Sequence, residues 1–331
     1  MFKTIRNFIL RIAVSALSLG LVWYMTRGKI LDSLYHLKNV DLWIFSLAIL
    51  LNFISILPVT FRVGTVLSIQ GIHLSFARRY YLWVMSLFFN LFLPSAVGGD
   101  IVRAYYIYKD SGKKMASVTS ILIDRFFGLM ASVTIGAAAF WVARKHLDDP
   151  QMGQVLFWFV VLIFIGVLFL MSRQFSKPAK SLLFWVTPKR LKEHLERLFS
   201  VLDLYQTRRK AFLISFAYSL LAQVLFILMV YFLALSIHIH LPLALYFLYM
   251  PLVTVFSMIP SVGGLGVREA AFVHLFGHYI PVDQAVALSL IFDVFIYGIG
   301  IACGILYAIR GGASIMEIEE MEEAQLEREK Q

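Results

Sequence analysis

"LFLPSAVGGDIVRAYY", residues 91–106, follows an apolar run and places a proline, two adjacent glycines, an aspartate and an arginine within ten positions. The middle of an ordinary membrane-spanning helix does not tolerate that mixture, because proline removes a backbone donor and charge is costly in hydrocarbon. Three explanations compete: a loop between spans, a phosphate cradle, or backbone broken inside the bilayer.

The surrounding composition sets the context. The chain has 331 residues, of which 60% are hydrophobic and 15% charged, with a mean hydropathy of +0.78. A soluble domain carries about 45–50% apolar and about 25% charged residues. The apolar residues here come in long continuous blocks, whereas a transmembrane β-barrel needs short alternating segments. The expected class is therefore an all-α polytopic membrane protein, since backbone in lipid must satisfy its own hydrogen bonds. The formal net charge is +10, with most basic residues lying between apolar blocks, as the positive-inside rule and anionic headgroups require. Nucleic acid is not an expected partner, because no soluble domain presents a basic face. The single cysteine, Cys303, lies in an apolar block and excludes an internal disulfide framework or a cysteine-rich metal site.

A full span takes about 20 apolar residues. The segments 8–26, 42–61, 115–141, 152–172, 211–236 and 284–309 meet that requirement, the first being read as an uncleaved span because no small-residue cleavage site follows it. Two shorter runs, 80–93 and 242–259, each end in a proline and a glycine pair. The first would rise only roughly 20 Å as a helix, too little for the hydrocarbon core. Lys3, Arg6 and Arg11 place the N-terminus in the cytoplasm, so 27–41 is outside and 62–79, with Arg62, Arg78 and Arg79, is a cytoplasmic loop. The next basic group, Arg103, Lys109, Lys113 and Lys114, belongs on the same side. A helix that enters, breaks near Pro94–Asp100 and returns reconciles the two. The same bookkeeping makes the second broken segment a hairpin entering from the opposite face. The expected architecture is about six full transmembrane helices plus two Pro/Gly-broken re-entrant helical hairpins in an inverted repeat; eight ordinary spans is the alternative. Residues 1–310 form the membrane domain and 311–331 an acidic, disordered cytoplasmic tail. Segment 173–210 carries ten Lys/Arg against Glu193, Glu196 and Asp203, a net of +7, and reads as an amphipathic cytoplasmic helix against anionic headgroups.

The second break reads "FSMIPSVGGLGVREAAF", residues 256–272. Pro94-Ser95 matches Pro260-Ser261, Val97-Gly98-Gly99 matches Val262-Gly263-Gly264, and Arg103 matches Arg268, with Ala96 the one insertion. Paired breaks entering from opposite faces are the sequence pointer to a substrate site near the midplane of a transporter. Proline ends the descending half-helix, and the glycines permit the turn and a close backbone approach. The returning half-helix then begins inside the membrane with free N–H groups and a positive dipole end, which suits a phosphate, and each arginine follows about one turn later. For one copy, tight helix packing with a snorkelling arginine explains as much. The pairing of two copies favours the phosphate reading.

Asp124 and Arg125 interrupt the span 115–141, and Asp293 the last one. Such residues usually line a polar interior. Asp124 is expected to pair with Arg103 or Arg268, or to carry a proton; Asp100 sits three residues before Arg103, on one helix face. Arg103, Arg125 and Arg268 against Asp100, Asp124, Glu269 and Asp293 form a candidate intramembrane charge network. His274 and His278 have metal-compatible spacing without a third ligand, so no metal and no cofactor are expected. Tyr105, Tyr106 and Tyr108 read as an aromatic belt.

At "NLFLPSAVGGDIVRAYY", "SILIDRFFGL" and "IPSVGGLGVREAAF" the sequence resembles the lysylphosphatidylglycerol synthase transmembrane-region family, also called the flippase-like domain family, over nearly its whole length. In multiple peptide resistance factor the similar domain is the flippase part, fused to a soluble aminoacyl-transfer domain; other members are associated with polar-lipid or polyprenyl-phosphate handling. The resemblance implies lipid translocation, with Gly98, Gly99, Asp100, Arg103, Asp124, Arg125, Gly263, Gly264, Arg268 and Glu269 as the substrate-binding positions. Without the soluble synthase domain, lysyl transfer is not expected, and Asp293 departs from the basic residue expected there in many relatives.

The resulting expectation is a non-enzymatic flippase of the inner (cytoplasmic) membrane, with both termini cytoplasmic. It moves a phospholipid or polyprenyl-phosphate-type lipid, and a homodimer is compatible with the sequence. The alternatives are a non-transporting scaffold that recruits a lipid-modifying enzyme, and an intramembrane lipid-phosphate enzyme, for which no nucleophile or metal site is found.

Overall fold

The computed structural model describes residues 36–92, 98–143, 208–257 and 266–309, with the isolated positions 20, 158 and 161. But for those isolated positions, the expected spans 8–26 and 152–172 therefore lie outside the described residues, as do nearly all of the basic segment 173–210, the acidic tail, and residues 93–97 and 258–265 with Pro94, Pro260, Gly263 and Gly264. Among the described residues the regular structure is helical: α1 (Leu42–Ile69), α2 (Phe76–Phe92), α3 (Gly98–Ser111), α4 (Lys114–Ala143), α5 (Arg209–Ser236), α6 (Leu243–Phe256), α7 (Val267–Phe276) and α8 (Val282–Ile309), with a short 3-10 turn at Leu37–Asn39.

The order long, short, short, long occurs twice, and its spacing is nearly constant. α1 and α5 start 167 residues apart (42 and 209), α2 and α6 also 167 (76 and 243), and α4 and α8 168 (114 and 282). Even the helix ends correspond. α1 closes with Gly71 N–H donating to Ser68 O and Ile72 N–H to Leu67 O; α5 closes with His238 N–H donating to Leu235 O and Ile239 N–H to Ala234 O. Both are Schellman closures around a left-handed residue, Gly71 at φ 71° and His238 at φ 61°. α1 opens just as definitely, with Asp41 Oδ1 accepting from Trp43 N–H at 2.9 Å and Ile44 N–H at 3.2 Å, a cap worth about 1 kcal/mol.

The halves are packed head to tail. α1 lies along α5, with Asp41 N–H donating to Ser236 O (2.8 Å) at one end and Arg62 reaching Ser219 (2.9 Å) further along, so these equivalent helices run antiparallel. The first arm of each hairpin lies on the last long helix of the other half, α2 on α8 and α6 on α4. α2 and α3 are antiparallel: Arg78 pairs with Asp110 at their outer ends (2.7 Å), and Asn90 meets Gly99 near the tip (2.8 Å). Lys113 Nζ donates to Gly71 O (2.9 Å) beside this root. The second hairpin is rooted at the opposite end of the bundle, where the Tyr249 and Tyr279 hydroxyls meet at 3.0 Å and His36 Nε2 lies 3.0 Å from Asp283 Oδ2.

Close contact between halves requires small residues. A Cβ on Gly300 would come within 2.5 Å of Leu91 Cδ1, and one on Gly304 would strike the Phe88 ring, so α2 seats on a glycine-lined face of α8. At the second hairpin Tyr246, Tyr249, Phe272 and Phe276 form a fully buried aromatic cluster; Leu67, Leu82, Met85 and Ile107 fill the base of the first.

Four of the described helices, Leu42–Ile69, Lys114–Val142, Arg209–Ser236 and Val282–Ile309, are long and apolar enough to cross a membrane. Their outward residues include Trp43 at 88% exposure and Ile309 at 77%. Long helices that are apolar on the outside as well as the inside need a hydrocarbon solvent. The chain is an all-α, multi-pass membrane protein. These helices coincide with four of the six expected spans, with one correction. Residues 62–69, assigned to a cytoplasmic loop, continue α1, and Arg62 is buried inside that helix rather than exposed at its end. Arg78 and Arg79 are likewise not loop residues but belong to the first turn of α2.

Candidate functional site

The arginine of the first break stands on α3 five residues after Gly98, facing α2 and α4. Arg103 Nη1 donates to Asp100 Oδ1 (3.1 Å) and Nη2 to Asp124 Oδ2 (3.3 Å). Its guanidinium carbon lies 4.0 Å from the centre of the Trp83 ring, a cation–π contact from α2. Arg103 and Asp124 are each 2% exposed, so neither charge is neutralised by bulk water. Asp124 Oδ1 also accepts from Arg62 Nε at 2.6 Å, while Arg125 Nε donates to Asp100 Oδ2. The result is an alternating ladder, Arg62–Asp124–Arg103–Asp100–Arg125, that crosses α1, α4 and α3. With three guanidiniums and two carboxylates its formal charge is +1.

The second break builds a smaller cluster. Arg268 Nη2 donates to Asp293 Oδ1, and its guanidinium lies 5.4 Å from the Phe292 ring centre. Glu269 Oε1 is 4.0 Å from Arg268 Nη2. All three charged residues are buried, and one guanidinium against two carboxylates gives a formal charge of −1. In each half, then, the arginine that follows the glycine pair meets an aspartate in the middle of the next long helix. The expected single network of seven charges is divided in two: Asp124 pairs with Arg103 and not with Arg268.

The half-helix starts differ from the expectation of free N–H groups. Gly99 N–H donates to Asn90 Oδ1 at 2.8 Å. Gly266 N–H donates to Glu269 Oε2, from a backbone at φ 84° that favours glycine. At both ends an acceptor side chain already occupies one helix-terminal donor. Gly99 is also sterically required, since a Cβ there would strike the Ser86 carbonyl of α2. Gly98 is buried at the start of α3.

Other expectations change as well. Tyr106 is no belt residue: it is buried, and its hydroxyl meets that of Tyr307 on α8 at 2.8 Å. His274 on α7 and His278 in the turn after it are exposed, with ring centres 5.7 Å apart. Among the described residues no group of three or more His, Cys, Asp or Glu is arranged to hold a metal ion. Sequence reasoning missed Arg62, although the apolar residues that follow it, Val63 and Val66-Leu67 among them, were a signal that the helix continues. It also missed Trp83, which belongs to no motif, and Asn90, which opens the quoted stretch 90–106 but was given no role.

Residues 8–304 match the family described as lysylphosphatidylglycerol synthase TM region. The chain belongs to that family. Among curated proteins none matches it. Membership of a membrane family named for lysylphosphatidylglycerol synthesis ties this protein to membrane lipids.

Proposed function

We propose that this protein translocates a phospholipid or a lipid-linked phosphate across the cytoplasmic membrane, acting as a transporter rather than an enzyme. The observation that carries the reading is the pair of hairpins rooted at opposite ends of the bundle, each with a buried arginine set against an aspartate of the next long helix. In a bilayer these become re-entrant hairpins of an inverted repeat, and the headgroup sits between them while its acyl or prenyl tails stay in hydrocarbon. Asp100 and Asp124 hold the position that a phosphate takes on Arg103, and Asp293 does the same for Arg268. A lipid phosphate displaces a carboxylate, so the guanidinium exchanges one anion for another and is never left bare in the membrane. Both termini are cytoplasmic in this reading, and the basic segment 173–210 rests on anionic headgroups.

Reconstitution tests it. Proteoliposomes containing the full chain are expected to exchange fluorescent or charged lipids between leaflets, and Arg103→Ala and Arg268→Ala are each expected to lower the rate at least tenfold. Unchanged exchange in both variants overturns the site.

A further inference from the structure

The two charge clusters differ in how many guanidiniums each carboxylate meets. In the first, Asp124 lies between Arg62 and Arg103, and Asp100 between Arg103 and Arg125. In the second, Asp293 and Glu269 have Arg268 alone among the described residues. Glu269 spends Oε2 on Gly266 N–H, and its Oε1 is buried without a hydrogen-bond partner among the described residues. Arg268 Nε is buried and unpartnered in the same place. Glu269 is 4% exposed and Asp293 8%, so water does not solvate either.

Among the described residues the neighbouring elements supply no second cation. On α8, the residue one turn beyond Asp293 is a tyrosine, Tyr297. α5 contributes Phe226, packed on Phe292. α6 turns Tyr246 and Tyr249 toward Phe276, at the far end of α7. α2 meets α8 further on, through Phe88 and Leu91, and His274 of α7 is exposed. Two ionised carboxylates against one guanidinium leave a net negative charge in a medium that does not support it.

We propose that Glu269 and Asp293 together hold one exchangeable proton, which makes the junction of α7 and α8 a proton-binding site. The proton, carried on either carboxyl, gives Glu269 Oε1 the hydrogen bond it otherwise lacks, and it leaves Arg268 with one charged partner. A metal cation suits the place less well, because a guanidinium nitrogen stands 4.0 Å from the free carboxylate oxygen and repels it. The site is independent of lipid translocation and holds whether or not the protein moves a lipid.

A hydrophobic carbodiimide tests it on the intact chain in detergent or lipid. The reagent needs a protonated carboxyl: the acid proton passes to a carbodiimide nitrogen, the carboxylate oxygen adds to the central carbon, and acyl migration gives a stable N-acylurea without a leaving group. Mass mapping of dicyclohexylcarbodiimide-treated protein at neutral pH is expected to place the adduct on Glu269 or Asp293 and not on Asp100 or Asp124, with labelling falling as pH rises. Glu269→Gln and Asp293→Asn are each expected to abolish labelling of the remaining partner, since one carboxylate opposite one guanidinium needs no proton. A second reading uses no reagent: difference infrared spectra are expected to show a protonated-carboxyl band that Asp293→Asn or Glu269→Gln removes. Equal labelling of Asp124, labelling of the remaining partner at the wild-type level, or labelling blocked by sodium and insensitive to pH overturns the proposal. So does an infrared spectrum without the band.

Discussion

Arg62 and Asp124 lie 2.6 Å apart in the interior of the bundle, each side chain about nineteen-twentieths buried, although 62 positions separate them in the chain. The contact joins α1 to α4, and through Ser219 it reaches α5 as well. Asp124 is also the counter-ion of Arg103, so one carboxylate ties the first hairpin to two long helices. Removing a single partner from a buried ion pair costs about 3–5 kcal/mol, because the other charge is stranded. Asp124→Ala, which strands two arginines, is expected to lower thermal stability in detergent more than Arg62→Ala does. Combining Arg62→Leu with Asp124→Leu is expected to cost less than the two single changes added together. A double-mutant cycle on unfolding temperatures measures the difference, and strict additivity would show that the pair contributes nothing specific.

The seat of the first hairpin on α8 gives a prediction about packing. Gly304 faces Phe88, and Gly300 faces Leu91. Forcing extra methyl groups into a packed contact costs about 1–3 kcal/mol. Gly304→Val is expected to destabilise the protein by an amount in that range, and Phe88→Ala in the same chain is expected to recover part of the loss. Thermal unfolding of the single and double variants checks this; no recovery would mean that the damage lies elsewhere on α8.

Hairpin direction can be read with cysteines, since Cys303 is the chain's single cysteine and is buried. In a Cys303→Ala background, Gly71→Cys and Gly112→Cys are expected to react with a membrane-impermeant thiol reagent from one side. Asn39→Cys and Asp283→Cys are expected to react from the other side. Accessibility of Gly71→Cys and Gly112→Cys from opposite sides would turn the first hairpin into a full crossing.

What the sequence disclosed follows from what is local. The apolar runs, and the two Pro-Gly breaks with their arginines, are contiguous patterns, and they were sufficient for the helical class, the positions of the described spans and the pairing of the halves. Arg62 was misplaced because a basic residue at the edge of an apolar run usually marks its end. It is tolerated inside α1 only through Asp124 and Ser219, which lie 62 and 157 positions away. The split into two clusters, the Asn90 contact at Gly99 and the Trp83 stack under Arg103 are products of helix packing. No periodicity announces which side chains packing will bring together.

The matching ends of α1 and α5 yield a last test, because the same closure is built once with glycine and once with histidine. A left-handed backbone costs a residue with a Cβ about 1–2 kcal/mol. At Gly71 the penalty is absent, and a Cβ would also come within 3.1 Å of Lys113 Nζ, which donates to the carbonyl of the same residue. Gly71→Val is therefore expected to destabilise the protein by about the left-handed penalty or slightly more. His238 bears that penalty in the native chain, and its ring offsets part of it by meeting Asn39 O at 3.1 Å beside the start of α1. Replacing it with glycine removes strain and contact together, so His238→Gly is expected to change stability by less than about 1 kcal/mol. His238→Val keeps the strain that the native chain already bears and loses the contact, so it is expected to cost about 0.5–1.5 kcal/mol, more than His238→Gly and less than Gly71→Val. Unfolding temperatures ranked in that order would establish that the closure geometry, rather than residue size, governs both helix ends; a His238→Val protein as stable as the native one would refute it.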